Sequence, residues 1–165
     1  MIKAKGIAVD PGQKLALVAS GVSDSLSVIS YADPSSPAFL GSVVSSQYMN
    51  GVHGVAADLD RTMAFVTGTV SNSLAVVSYA DPANPVLVGG VTNSQYMVQP
   101  FGVAYDPGRT LAFVVGRDFK ALAVVSIADP ANPPVLGGVI NTGSLQGVYG
   151  TVVDPGQKPA LAASS

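Results

Sequence analysis

The sequence predicts an all-β protein, a β-propeller of four-stranded blades, on three observations. Gly6, Gly54, Gly102 and Gly150 each open a near-copy of one 48-residue unit. Repeats of about 20–50 residues mark units that cannot bury their apolar faces alone and so stack on neighbours. The spacing recurs in the turns at Asp10, Asp58, Asp106 and Asp154, in Leu26, Leu74 and Leu122, in the pairs Asp33-Pro34, Asp81-Pro82 and Asp129-Pro130, and in Gly41, Gly89 and Gly137. Finally, apolar residues fall in β-branched runs of five or six, each ended by Pro or Gly, too short for ordinary helices.

The third unit shows how each strand is expected to arise. Gly102-Val103-Ala104-Tyr105 forms strand A and ends at Asp106-Pro107-Gly108-Arg109, where Pro fixes φ and Gly108 is expected to supply a left-handed residue. Strand B is Leu111–Val115, and after the loop through Arg117, Phe119 and Lys120 comes strand C, Leu122–Ile127, apolar on both faces as a strand sandwiched between sheets should be. Asp129-Pro130-Ala131-Asn132-Pro133 breaks it. Strand D, Val135–Ile140, is the outermost, with Gly and Pro near its ends, where a missing donor costs least. Alternating strand directions put the A–B and C–D turns on one rim. The B–C and D–A loops, which vary from unit to unit, lie on the other rim, where binding residues would sit.

The organisation expected is one propeller segment over 1–165, with blades at 6–53, 54–101 and 102–149 and a half-blade at 150–165. Residues 150–164 match 6–20 at 11 of 15 positions, whereas 54–68 match 6–20 at only five, so the fourth unit restarts the first. The superperiod is 144 residues. It suggests a head-to-tail ring, such as a six-blade dimer, a filament where contacts fail to close, or a piece of a longer array.

Composition narrows the partners. Hydrophobic residues make up 48% and charged ones 11%, so solubility rests on Ser, Thr, Asn and Gly, which leaves a sticky surface. Net charge is −2, and the basic residues, from Lys3 to Lys158, are scattered rather than clustered, which argues against nucleic acid and anionic membranes as partners. Without cysteine there is no disulfide, no thiolate chemistry and no Cys-ligated zinc. The first residues, Met1-Ile2-Lys3-Ala4-Lys5, lack the apolar core of a signal peptide, and no apolar run approaches the roughly 20 residues of a membrane span.

Residues 73–90, Ser-Leu-Ala-Val-Val-Ser-Tyr-Ala-Asp-Pro-Ala-Asn-Pro-Val-Leu-Val-Gly-Gly, resemble the LVIVD repeat family, in which an apolar strand leads into an Asp-Pro-x-x-Pro turn; residues 25–41 and 121–137 resemble it too. The resemblance implies a propeller blade and an extracellular or cell-surface repeat protein with no shared catalytic motif. The acidic residue usual after the apolar run is replaced by Ser30, Ser78 and Ser126.

Candidate sites are few. His53 is the sole histidine and, with no second His or Cys, makes no typical transition-metal site. No Gly-x-Ser-x-Gly elbow accompanies the abundant serines. The aspartates of the Asp-Pro-Gly turns lack the alternating acids of a calcium loop, so they are expected to serve the turns, and Asp58-Leu59-Asp60 to lie on an exposed hairpin. No cofactor, metal or catalytic residue is expected. The motif outside strands and standard turns is Ser46-Gln47-Tyr48-Met49, repeated as Ser94-Gln95-Tyr96-Met97 in the D–A loops. Each Tyr-Met pair either plugs the gap between blades or, with His53, Phe101, Arg117, Phe119 and Tyr149, lines a binding rim for a glycan or protein.

The first functional expectation is therefore a non-enzymatic structural protein that associates with itself through incomplete propeller edges, with Gly150, Val152, Val153 and Leu161 of the half-blade at the joint. The alternative is a glycan- or protein-binding module that uses the variable rim.

Overall fold

The computed structural model describes residues 4–117, 120–141, 143, 145, 148–153 and 160–164. These form β strands and turns without helix: three antiparallel four-stranded meanders and a two-stranded hairpin. The first blade holds β1 (Ala4–Asp10), β2 (Leu15–Ser20), β3 (Ser25–Ser30) and β4 (Ala38–Val44). The second holds β5 (Val52–Asp58), β6 (Met63–Gly68), β7 (Ser73–Ser78) and β8 (Val86–Thr92). The third holds β9 (Pro100–Asp106), β10 (Leu111–Gly116), β11 (Ala121–Ser126) and β12 (Val135–Ile140). The hairpin pairs β13 (Val148–Val153) with β14 (Ala160–Ser164), with Val152 opposite Leu161 and Val153 opposite Ala160.

The first strands of successive blades adjoin, β1 with β5, β5 with β9 and β9 with β13, while the fourth strands diverge. That is the fan of a propeller around its axis. Glycine makes the inner contact feasible. A Cβ on Gly6 would lie 2.4 Å from the His53 carbonyl oxygen, and one on Gly54 would lie 2.3 Å from that of Phe101. The first landmark of the repeat is thus a backbone-to-backbone approach that no side chain permits.

The Gly41 and Gly89 series has a different reason from the edge-strand expectation. Each lies at a bulge in its fourth strand, where the Asp-Pro turn of the next blade docks: a Cβ would come 2.3 Å from the Ala83 carbonyl at Gly41, and 2.3 Å from that of Ala131 at Gly89. Inside those turns Asp81 and Asp129 accept the backbone N–H of Ala83 and Ala131 at 3.0 and 3.1 Å. Each turn is self-capped before it docks.

Gly108 does not carry the left-handed conformation expected of it. That falls two residues later, on Lys14 (φ 56°), Thr62 (φ 50°) and Thr110 (φ 57°). The reason lies in the ladder: the carbonyls of Lys14, Thr62 and Thr110 accept the N–H of Tyr31, Tyr79 and Ile127 at the end of each third strand. The left-handed residue turns its carbonyl towards that donor.

Two cores lie between the blades. Leu17, Leu26, Val28 and Met49 of the first blade meet Val66, Val77 and Tyr79 of the second. Phe65, Leu74, Val76 and Met97 then meet Val114, Val125 and Ile127 of the third. Each fully buried side chain of this size contributes about 1.5–3 kcal/mol, so blade stacking is the main source of stability.

Candidate functional site

On the variable rim, the loops beside the axis are fixed from the backbone outward. Thr67 accepts the Gly54 N–H at 2.7 Å and donates to the Phe101 carbonyl at 3.0 Å, which ties the second blade to the start of β9. Asp24 and Asn72, both left-handed, accept the N–H of Gly51 and Gln99 at 2.7 and 2.9 Å, clamping each D–A loop to the preceding B–C turn. The third unit has Lys120 at that position, a side chain with no acceptor.

This frame brings together three of the predicted rim residues. His53 lies within β5, and its ring sits 4.0 Å from that of Phe101, its equivalent on β9. The Arg117 guanidinium stands 5.0 Å from the Phe101 ring centre, a cation–π distance. Burial pushes the His53 imidazole below its ordinary value, and the nearby charges of Lys5 and Arg117 push it further down. It is therefore neutral near pH 7 and poorly placed to act as a cation or acid. Beside this stack runs a groove of about 410 Å³ lined by Thr69, Val70, Asn72, Val98, Gln99 and Phe101.

Tyr48 and Tyr96 stand elsewhere. Each packs on the fourth strand of the following blade, where a Cβ on Gly90 would lie 2.7 Å from the Tyr48 ring, and one on Gly138 2.7 Å from the Tyr96 ring. Their partners Met49 and Met97 are wholly buried in the inter-blade cores. Phe119 and the side chains of Tyr149, Val152, Val153 and Leu161 lie outside the described residues, and Gly150 has no atom within 4 Å of where its Cβ would be.

The opposite rim carries polar groups whose role the sequence did not disclose. The hairpin is exposed at Leu59 and Asp60, but Asp58 is buried there: at 4% exposure, it accepts from Arg61 Nε at 2.6 Å and from the Tyr105 hydroxyl at 2.7 Å. Arg61 also donates to Tyr105 Oη at 2.8 Å and to the Ile127 carbonyl at 3.1 Å. Burial alone would raise the Asp58 carboxyl, but the bonds from Arg61 and Tyr105 outweigh it and hold Asp58 below the usual aspartate value. Burial and the Asp58 carboxylate push the Tyr105 phenol up to about 12. Asp10 likewise does more than cap its turn. It accepts from Gln13 N at 3.0 Å and, across the blade junction, from the Tyr79 hydroxyl at 3.1 Å. The signal in the sequence was the departure from the repeat, since Tyr105 stands where the other units have Val9, Ala57 and Val153.

Among the described residues, no three His, Cys, Asp or Glu side chains gather as metal ligands. No helix there is long and apolar enough to cross a membrane.

No protein-family model matches the chain, and no curated protein matches it. Solved structures do. A proposed 6-phosphogluconolactonase from Bacteroides uniformis aligns over 99% of this chain and 48% of its own length, with a TM-score of 0.82 at 14% identity. The Cps50 (Swd1) β-propeller domain of Myceliophteria thermophila aligns over 99% of this chain and 50% of its own, with a TM-score of 0.73 at 10% identity. The RRP9 WD40 repeats give a TM-score of 0.77 at 12% identity, covering 99% of this chain and 46% of theirs. The chain thus spans about half the length of the structures it resembles. At these identities the likeness establishes the fold: the chain is a run of β-propeller blades.

Proposed function

We propose that this chain is a non-enzymatic structural repeat protein that associates with itself through the open faces of its blades. One observation carries the reading: the outward face of the first blade and the outer half of that of the third are apolar and exposed, while the same faces inside the stack are buried. Ile7 and Phe39 of the first blade are 63% and 64% exposed and Leu136 of the third is 62% exposed. Their counterparts Val55, Leu87, Val135 and Val88 are half-buried or better against a neighbour. Exposed sheet faces of this kind are association surfaces. The resemblance to LVIVD repeats adds an extracellular or cell-surface setting. Sedimentation of the chain over a hundredfold range of concentration tests the reading. A mass that rises with concentration is expected, and a monomer throughout would sink it.

A second reading rests on the His53–Phe101–Arg117 stack and its groove, in which aromatic faces and a guanidinium on a rigid rim suit a glycan or peptide. Phe101→Ala should then abolish binding in a glycan or peptide array. An array silent for the unaltered protein removes this reading.

A further inference from the structure

Building on the self-association reading, we infer that the exposed half of the third blade is the seat of β3–β4 from the first blade of a second copy, joined at the register of the internal blade junctions. The β13–β14 hairpin then serves as the inner half of that blade, and the second copy's β1–β2 hairpin, which it copies, parts from β3 to make room.

Four observations carry this. First, each internal junction has a glycine on one blade under an Asp-Pro turn of the next, and the ends of the stack hold the two halves of one more such joint. At Gly137 nothing lies within 4 Å of a Cβ, whereas Gly41 and Gly89 meet turn carbonyls at 2.3 Å. The turn left without a glycine is that of the first blade, where Pro37 is exposed although its equivalents Pro85 and Pro133 are buried.

Second, the surfaces to be joined match those already joined. Leu122 and Val124 are partly exposed where Leu26, Val28, Leu74 and Val76 are fully buried. Together with Leu136 and Val139 they line an apolar hollow of about 400 Å³. On the first blade, Phe39 holds the position from which Leu87 packs into an internal core.

Third, the residues peculiar to each end complement one another. Tyr48 and Tyr96 require glycine on the blade they touch, Gly90 and Gly138. The third unit has Ser144 at the Tyr position and the first has Ser42 at the Gly position, so both members of the pair change together at the one junction that joins unit three to unit one. Tyr31 also stands where Tyr79 reaches across to Asp10, and Asp106 where Asp10 receives it.

Fourth, nothing lies within 4 Å of a Cβ on Gly150, while Gly6, which it copies, lies under the β5 backbone with the His53 carbonyl at 2.4 Å from a Cβ. A glycine is needed there once β5 of a second copy adjoins β13. Residues 150–164 repeat 6–20 at 11 of 15 positions. This contact is head-to-tail, with different surfaces on the two copies.

Gly137→Val and Gly150→Val test the joint, because both side chains have open space in the separate chain and meet backbone in the assembly. Sedimentation equilibrium should show wild-type association lost or weakened at least tenfold in each, with unfolding midpoints of the separate chains unchanged. Phe39→Asp should be monomeric too, and mixing it with Gly137→Val should restore a dimer, since one copy keeps the glycine face and the other keeps β3–β4. Wild-type association that survives Gly137→Val or Gly150→Val undiminished, or a mixture that stays monomeric, overturns this joint but leaves self-association standing. A wild-type chain monomeric at every concentration overturns both and assigns the face to some other occupant.

Discussion

At the scale of single residues, the repeat is a record of where backbones touch. The recurrence of Gly6, Gly54, Gly41 and Gly89 was visible in the sequence, but its cause was not, because a close approach between distant strands leaves no local mark. Gly89→Ala places a methyl 2.3 Å from the Ala131 carbonyl and should destabilise the fold by about 1–3 kcal/mol, read as a lower urea midpoint. Gly137→Ala, with nothing within 4 Å, should leave the separate chain unchanged. The turns invite the opposite comparison. Gly108 has no positive φ and its Cβ would meet only the Asp106 carboxylate at 3.3 Å, so Gly108→Ala should cost little. Thr110, β-branched at φ 57°, carries the strain instead. Thr110→Gly should then be neutral or stabilising by up to about 1 kcal/mol in the same measurement, relief of strain offsetting the entropy of glycine.

At the scale of elements, strand positions were legible to within a residue or two because four-strand units announce themselves by apolar runs and Asp-Pro turns. The polar clasp between the second and third blades was not, since the Asp58–Arg61 pair on one hairpin lies far in sequence from Tyr105 and Ile127, which reach it only when β9 packs on β5. The rim told a similar story: His53 and Phe101 were legible as equivalents 48 residues apart, and adjoining strands A make them stack. Tyr48 and Tyr96 were drawn away by the glycines beneath them. Tyr105→Phe removes one hydroxyl that donates to Asp58 and accepts from Arg61, and should cost about 1–3 kcal/mol. The clasp also fixes a pH dependence. Asp58 is depressed in the folded chain, so its contribution is fully present above the ordinary aspartate value near 3.8 and is lost as pH falls through the lower folded value. Denaturant midpoints measured from pH 6 to pH 2 should fall more steeply below about pH 4 for the wild type than for Asp58→Asn.

At the scale of the whole molecule, stability in a stack of blades is the sum of each blade and its junctions. The second blade has a core on both faces, one shared with the first blade and one with the third. Its third strand is buried from Ser73 through Val77, whereas the matching strands β3 and β11 are each interrupted by partly exposed residues. Opening β7 therefore breaks two junctions, while opening β3 or β11 in the separate chain breaks one. Amide exchange, which reports the free energy of each local opening, should be slowest along β6 and β7 and faster in β1, β4 and β12, whose residues are largely exposed. Raising the protein concentration should then slow exchange at β3, β4, β11 and β12 and leave β6 and β7 nearly unchanged, because only the end blades gain a neighbour. Protection that rises evenly across the three blades, or does not respond to concentration, would show that association covers no blade face.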